Sequence, residues 1–500
     1  MEGSPSTHPS IPDLSPLPPA MNRRQFAKTA ALGAAAPLVV PRHVLGGAGF
    51  TAPSDTVAIG VIGAGGMGAS NATALAVRTD VRIAAIADVD MGRVAEAVER
   101  RLASGGGHLR GLALQRAYAG AATYADYREM LAREAGLDGV LIATPDHVHA
   151  HAALLAMGGG RHVYLQKPLT YTVEESRRLA AAAAATGLVT QMGNQGHSGD
   201  DGRRAVEVVR AGVIGPVREI LAWTNRPNGW WPQGVPMPPP EAAPDGVEWD
   251  VYLGPNEMQP YRPGIHPFGW RGFVGFGVGA LGDMGAHLVD FPVWALDLPR
   301  PDRVETRHTP WGGGADDKAT YPLATVTTWR FPEAGPDAGA ADPGGPVRMT
   351  WYDGGLLPPT PESAPDGFEL DPNGGVIYVG ERGLLVHETY GTNPRFLPVA
   401  GGPAPAALLA EAEAVPTSLP RVEGGIDGHE ANWIRAIKGE EPVSCPFEYA
   451  AHLNEIMLLG VAALWGGQPL AVSPDGDITN HPDGFALLSR TYRDGWALPS

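Results

Sequence analysis

Two stretches hold residues that can do chemistry together. "GDMGAHLVDFPVWAL" sets Asp283, His287 and Asp290 at i, i+4 and i+7, a spacing that on one helix puts all three on one face. A histidine flanked by carboxylates is oriented and kept basic, as a general acid–base must be. Asp283 is then placed to assist His287 or hold substrate hydroxyls, with Asp290 beside it. The same pattern suits a zinc or manganese site or a packed structural histidine. Far upstream, "TVAIGVIGAGGMG" ends in Gly63-Ala64-Gly65-Gly66-Met67-Gly68, a G-x-G-x-x-G loop between an apolar run and a helical one, and Asp88 closes the next apolar run. In that setting Gly63 permits a tight turn, Gly65 lets backbone approach a pyrophosphate, and Gly68 lets helix and strand pack closely. The helix N-terminus offers its N–H groups to the phosphates. Asp88 would accept from the adenosine ribose hydroxyls and repel a 2′-phosphate, which favours NAD over NADP, with Arg93 as the opposing feature.

A nicotinamide takes a hydride from a carbinol carbon and leaves the hydroxyl proton to the protein. Lys167, in "HVYLQKPL", leaves a strand on the cofactor side, its exit fixed by Pro168, and suits that proton. Hydride transfer to nicotinamide needs no metal, so no metal ligand is assigned. "DHVHAH" offers His147, His149 and His151 on an Ala-rich helix start capped by Asp146. There the three rings splay over different faces, and they are read as pocket-lining residues. "QMGNQGHS" supplies Asn194, Gln195 and His197 after a strand end, where polyol hydroxyls could be bound. Trp230 and Trp231, in "TNRPNGWWPQG", could stack on the apolar face of a sugar ring or pack internally.

Positioning these groups needs a scaffold, and the chain supplies one. From residue 55, apolar strands alternate with helical runs through "VRIAAIADVD", "DGVLIATP" and "HVYLQKPL" to "LVTQMGNQG", the pattern of a doubly wound parallel sheet. "TVEESRRLAAAAAATG" has a capping box in Thr172 and Glu175. Beyond it, "PVREILAWTN", "LATVTTWRF", "VRMTWYDG" and "GVIYVGERGLLVHET" read as strands of an antiparallel sheet, followed by two amphipathic helices. The expected organisation is an N-terminal extension over 1–50, a Rossmann domain over 51–190 and a C-terminal substrate and oligomerisation domain over 191–500. The 500 residues carry a net charge of −17, which argues against nucleic acid and anionic membrane as partners. The single cysteine, Cys445, excludes an internal disulfide.

The motifs "VIGAGGMG", "ATPDHVH", "QKPL" and "GDMGAHLVD", in that order, resemble the Gfo/Idh/MocA family of nicotinamide-dependent oxidoreductases. The resemblance implies a Rossmann domain, a C-terminal α/β domain with an open, mainly antiparallel sheet, sugar or polyol substrates, and a homo-oligomer. It assigns acid–base work to Lys167 and His287, and adds Thr144, Pro145, His149 and Gln166 to the cofactor contacts. Gln166 and Asp146 depart from the family pattern, which has Glu and Asn there.

"NRRQFAK" with the apolar run "TAALGAAAPLVV" matches a twin-arginine export signal through Arg23 and Arg24, a receptor-read address rather than an anchor. That route carries folded proteins, so a cofactor would travel bound to an extracytoplasmic location without a free NAD(H) pool. The cofactor must then be restored on the protein in each cycle, by ping-pong oxidoreduction or by a redox-neutral cleavage, elimination or epimerisation. Exported NAD-dependent glycosidases similar to this family work in the second way. A non-catalytic sugar-binding protein is the reading from another class, and the pairing of Lys167 with His287 speaks against it.

Overall fold

The computed structural model describes residues 55–499 apart from 105–106, 315–317 and 342–343; the export-signal residues Arg23 and Arg24 lie outside these. A first sheet contains β1 (Val57–Ile62), β2 (Val81–Ala87), β3 (Ala122–Tyr124), β4 (Gly139–Ile142), β5 (His162–Leu165) and β6 (Thr190–Met192), in the order β3-β2-β1-β4-β5-β6. All its pairings are parallel. β1 is buried along its whole length, as expected of a strand covered by helices on both faces.

The helices between these strands are α1 (Gly66–Ala76), α2 (Met91–Ala103), α3 (His108–Ala119), α4 (Tyr127–Arg133), α5 (Asp146–Gly158) and α6 (Val173–Thr186). The strand order reverses between β1 and β4, and a doubly wound sheet binds its ligand beyond the strand ends at that crevice. The capping box at α6 is present, with Thr172 and Glu175 exchanging side-chain-to-backbone bonds.

A second sheet runs β13-β12-β11-β7-β10-β9-β8-β14. Its strands are β7 (Val217–Thr224), β8 (Arg303–His308), β9 (Thr325–Phe331), β10 (Val347–Tyr352), β11 (Gly374–Gly380), β12 (Gly383–His387), β13 (Arg395–Pro398) and β14 (Leu470–Ala471). Only β7 and β10 pair in parallel. Helices α7 (Asp200–Arg210), α8 (Trp249–Leu253), α9 (Gly279–Leu288), α10 (Asp290–Ala295), α11 (Pro405–Ala414), α12 (His429–Ile437) and α13 (Phe447–Gly466) complete the chain. One face of the sheet alternates inward through Trp329, Phe331, Met349 and Trp351, all buried; burial of a Phe or Met side chain contributes roughly 1.5–3 kcal/mol. α13 packs on α6, β8 and α9, so it ties the Rossmann sheet to the helix that carries Asp283 and His287. No helix among the described residues is long and apolar enough to cross a membrane.

Candidate active site

The glycine loop is shaped for a dinucleotide. Gly63 has φ +78°, and a Cβ there would sit 2.6 Å from the Ala143 carbonyl oxygen, while one on Gly68 would collide with the Gly63 carbonyl. These two let β1 turn and α1 lie against it. A Cβ on Gly65 would meet only Asp88 Oδ2, at 3.6 Å, and one on Gly66 would meet nothing within 4 Å. Open space therefore lies over the loop where backbone must approach phosphate, with Met67 half exposed at its edge.

The Asp88 carboxylate accepts from Gly65 N at 3.0 Å and Asp90 N at 2.9 Å. Burial pushes its pKa up to about 6 against those two bonds. Beside it an open pocket of about 50 Å³ is lined by Gly63, Asp88, Thr144, Val148 and Tyr252. Thr144 Oγ1 is buried there without a partner, a polar atom that a bound nucleotide can satisfy. Arg93 is committed to Glu96 at 2.8 Å.

Lys167, just past β5, donates through Nζ to the Asp283 carbonyl at 2.6 Å and to Asp283 Oδ1 at 3.0 Å. Arg271 Nε donates to the same Oδ1 at 3.0 Å. Burial raises the Asp283 pKa, but Lys167 and Arg271 outweigh it and hold the group well below the usual carboxylate range. His287 is buried, one turn further along α9, with its ring edge-on to Tyr390 at 4.5 Å between centroids. Its Nδ1 faces Asn194 Oδ1 at 3.2 Å. Donation of the Nδ1 proton there leaves the Nε2 lone pair as the base. Burial, then the charges of Lys167 and Arg226, drive the His287 pKa well below its ordinary value, with Asp283 opposing. Asn194 Nδ2 is buried without a partner, which leaves it a donor for a substrate oxygen. The site thus holds a fixed cation, a neutral imidazole and a free amide donor.

Several expectations are corrected. Asp290 does not flank His287. Pro292 has no N–H to give the Leu288 carbonyl, and Val289, itself still helical at φ −84° and ψ −21°, separates α9 from α10, which Asp290 starts. It is fully buried and bonded to His197 Nδ1 at 2.9 Å and the Tyr449 hydroxyl at 2.6 Å. His197 stacks on Trp294 at 3.9 Å. Asp290 and His197 form a buried pair with Tyr449, and Asp283, not Asp290, is the carboxylate whose charge acts on His287. Asp283 spends its hydrogen bonds on Lys167 and Arg271.

Trp231 is buried, with its Nε1 donating to Gln233, and so packs internally rather than against a sugar. Trp230 is exposed, with Arg226 stacked 3.5 Å above its ring. Asp146 does not cap α5, whose N-cap is Pro145. Its Oδ2 accepts from Val278 N at 3.2 Å, at the entry to α9, while Oδ1 is buried without a partner. His149 sits between the carbonyls of Pro168 (2.8 Å) and Thr144 (2.9 Å); burial lowers its pKa to about 4, so the neutral ring donates its one N–H to one of them and holds the pocket wall. His147 and His151 go to other partners, the Tyr252 carbonyl and the Tyr127 hydroxyl.

Gln166 is buried, and its Nε2 donates to Asn71 Oδ1 at 3.0 Å. Sequence reading missed Arg271, Arg226 and Tyr390. Arg226 lies within the tryptophan-bearing stretch already singled out, where it was readable as the cation; Arg271 and Tyr390 sit in 3₁₀ turns, Gly269–Gly272 and Thr389–Gly391, too short to carry a periodic signal.

Comparison with known proteins agrees with this fold. Residues 57–194 match the family model "Oxidoreductase family, NAD-binding Rossmann fold", and residues 208–306 match that family's C-terminal alpha/beta domain. A Glycosyl hydrolase family 109 protein of Shewanella pealeana is 30% identical over 39% of this chain and 44% of its own. Inositol 2-dehydrogenase of Rubrobacter xylanophilus is 27% identical over 34% of this chain and 44% of its own. The chain thus spans less than half the length of these curated relatives. The fold is shared with the WlbA dehydrogenase of Bordetella pertussis, solved with NADH and UDP-GlcNAcA, at TM-score 0.53 and 15% identity over 84% of this chain and 99% of that one. Residues 57–194 and 208–306 therefore carry, in order, the NAD-binding and C-terminal domains of the Gfo/Idh/MocA oxidoreductase family.

Proposed function

We propose that this protein oxidises a hydroxyl of a sugar, polyol or glycoside with a tightly held NAD(H) that is restored on the protein in each cycle. The observation that carries the reading is the Lys167–Asp283 ion pair one helical turn from His287, on the strand-end side of the glycine loop. NAD supplies hydride exchange with the carbinol carbon. Lys167 spends two N–H groups on Asp283 and has a third for the substrate oxygen, where negative charge develops as the proton leaves. His287, neutral and oriented by Asn194, takes that proton on Nε2. Asn194 Nδ2 offers a second donor, and Trp230 and Arg226 line the approach.

A redox-neutral variant is favoured by the likeness to a Glycosyl hydrolase family 109 protein. In it the transient ketone acidifies the neighbouring C–H, a base removes that proton, a substituent is eliminated or the centre inverted, and the hydride returns. The twin-arginine pattern supports retention, since an extracytoplasmic enzyme has no NAD(H) pool to exchange with. A homo-oligomer and passage through the twin-arginine machinery belong to the same proposal.

Stopped-flow absorbance of the nicotinamide, with the purified protein mixed against a panel of polyols and glycosides without added cofactor, tests the reading. A rapid absorbance change with at least one sugar is expected; no change with any sugar, while free NAD supports turnover, would remove the retained-cofactor proposal.

A further inference from the structure

Glu430 opens α12, outside both regions matched by the family models. It is buried, and its Oε1 accepts from Asn71 Nδ2 at 2.5 Å. Asn71 lies on α1, the helix that begins at the glycine loop. Asn71 Oδ1 accepts from Gln166 Nε2 at 3.0 Å, and Gln166 Oε1 faces the Lys167 N–H at 3.4 Å. Gly193 backs directly onto the Gln166 amide, which takes the space of a Cβ there, since one would lie 2.6 Å from Nε2. The line ends beside Asn194, which orients His287.

A side-chain amide offers a donor at one end and an acceptor at the other, and nothing in its shape prefers either direction. A carboxylate only accepts. Glu430 therefore forces the Asn71 NH₂ toward itself, which turns the Asn71 oxygen toward Gln166, draws in the Gln166 NH₂, and leaves the Gln166 oxygen turned toward the Lys167 N–H. We infer that Glu430 is a positioning residue that sets the hydrogen-bond polarity of Gln166, so that Gln166 presents an acceptor to the hydroxyls of bound NAD. Burial pushes the Glu430 carboxyl up, and amide donors from Asn71 and Gln195 pull it back toward the ionised form. The inference rests on NAD being the bound nucleotide.

The test relocates the carboxylate along the line. Glu430→Gln removes the acceptor-only end and lets both amides turn. Asn71→Asp with Glu430→Gln restores polarity, because the carboxylate now at position 71 can only accept and the amide now at position 430 can donate to it. The readout is the dissociation rate of NAD, followed by exchange against labelled NAD, with the thermal midpoint of each variant beside it. Glu430→Gln is expected to release NAD about tenfold faster, the scale of one charge-assisted bond of about 1.4 kcal/mol, and the double variant to return within about threefold of the parent. Should Glu430→Gln not fold, the double variant alone decides by the same threefold limit. Parental exchange in Glu430→Gln, or a double variant at least as fast as Glu430→Gln, overturns the inference. A parent that binds no NAD overturns this inference and the proposed function together, whereas a parent that binds NAD with unchanged variants overturns only this one.

Discussion

The proposed chemistry rests on Lys167, held by a carboxylate that it shares with Arg271. Lys167→Ala, which removes the donor to the developing oxyanion, and His287→Ala, which removes the base, should each slow sugar-dependent reduction of bound nicotinamide by about 10²-fold or more, with nucleotide still bound; full single-turnover activity in either would remove that residue from the mechanism. Asp283→Asn leaves Lys167 and Arg271 without their shared anion and should cost on the order of 3 kcal/mol of stability, read as the denaturant midpoint. Asp146 gives a pH signature. Burial, against Arg271, raises its pKa from 3.8 to about 8, with Asp283 adding to the rise. Because the folded state keeps a proton that the unfolded state has lost, this group's contribution to stability falls as pH rises from about 4 to about 8. Asp146→Asn should abolish that slope and raise the thermal midpoint by a few degrees at pH 8 relative to the parent, with little change at pH 4; a parallel shift at both pH values would contradict the assignment. His287 moves the other way. Its depressed pKa lets the unfolded chain bind the proton first, so its contribution to stability declines as pH falls below the ordinary histidine value.

Elements explain what could be read in advance. The strand–glycine–helix sequence at 57–76 was legible because the steric demands are local: Gly63 and Gly68 are required by contacts within one turn of chain. They separate two effects. Gly68→Ala should disrupt the packing of α1 on β1 and lower the yield of folded protein. Gly65→Ala meets only Asp88 Oδ2, at 3.6 Å, though at φ −79°, ψ −130° an alanine is strained; it should lose NAD binding with a smaller fall in the thermal midpoint than Gly68→Ala. Circular dichroism and NAD titration of both variants check this, and equal loss of fold in both would contradict it. The helix bearing Asp283 and His287 was also legible, and those two residues do share the site. Asp290 was misassigned because helical spacing says nothing of partners from other elements, and here His197 and Tyr449 take its carboxylate. The partners that decide the electrostatics, Arg271, Arg226 and Tyr390, come from a loop and two 3₁₀ turns and are brought together only by the tertiary fold. Glu430 reaches Asn71 across 359 residues of sequence, a separation that periodicity does not register.

At the scale of the whole molecule, the proposal joins an export address to a cofactor site. Replacing Arg23 and Arg24 with Lys should leave the protein in the cytoplasm, since the pair is read by a receptor; cell fractionation checks it, and unchanged export would remove the reason for expecting a retained cofactor. The most direct measurement is the nucleotide itself. Protein purified from the extracytoplasmic fraction without added cofactor should, on denaturation, release a stoichiometric amount of NAD(H), identified by chromatography and its ultraviolet spectrum. Recovery of nucleotide-free protein that takes up added NAD with ordinary saturation, or release of NADP in its place, would contradict the account.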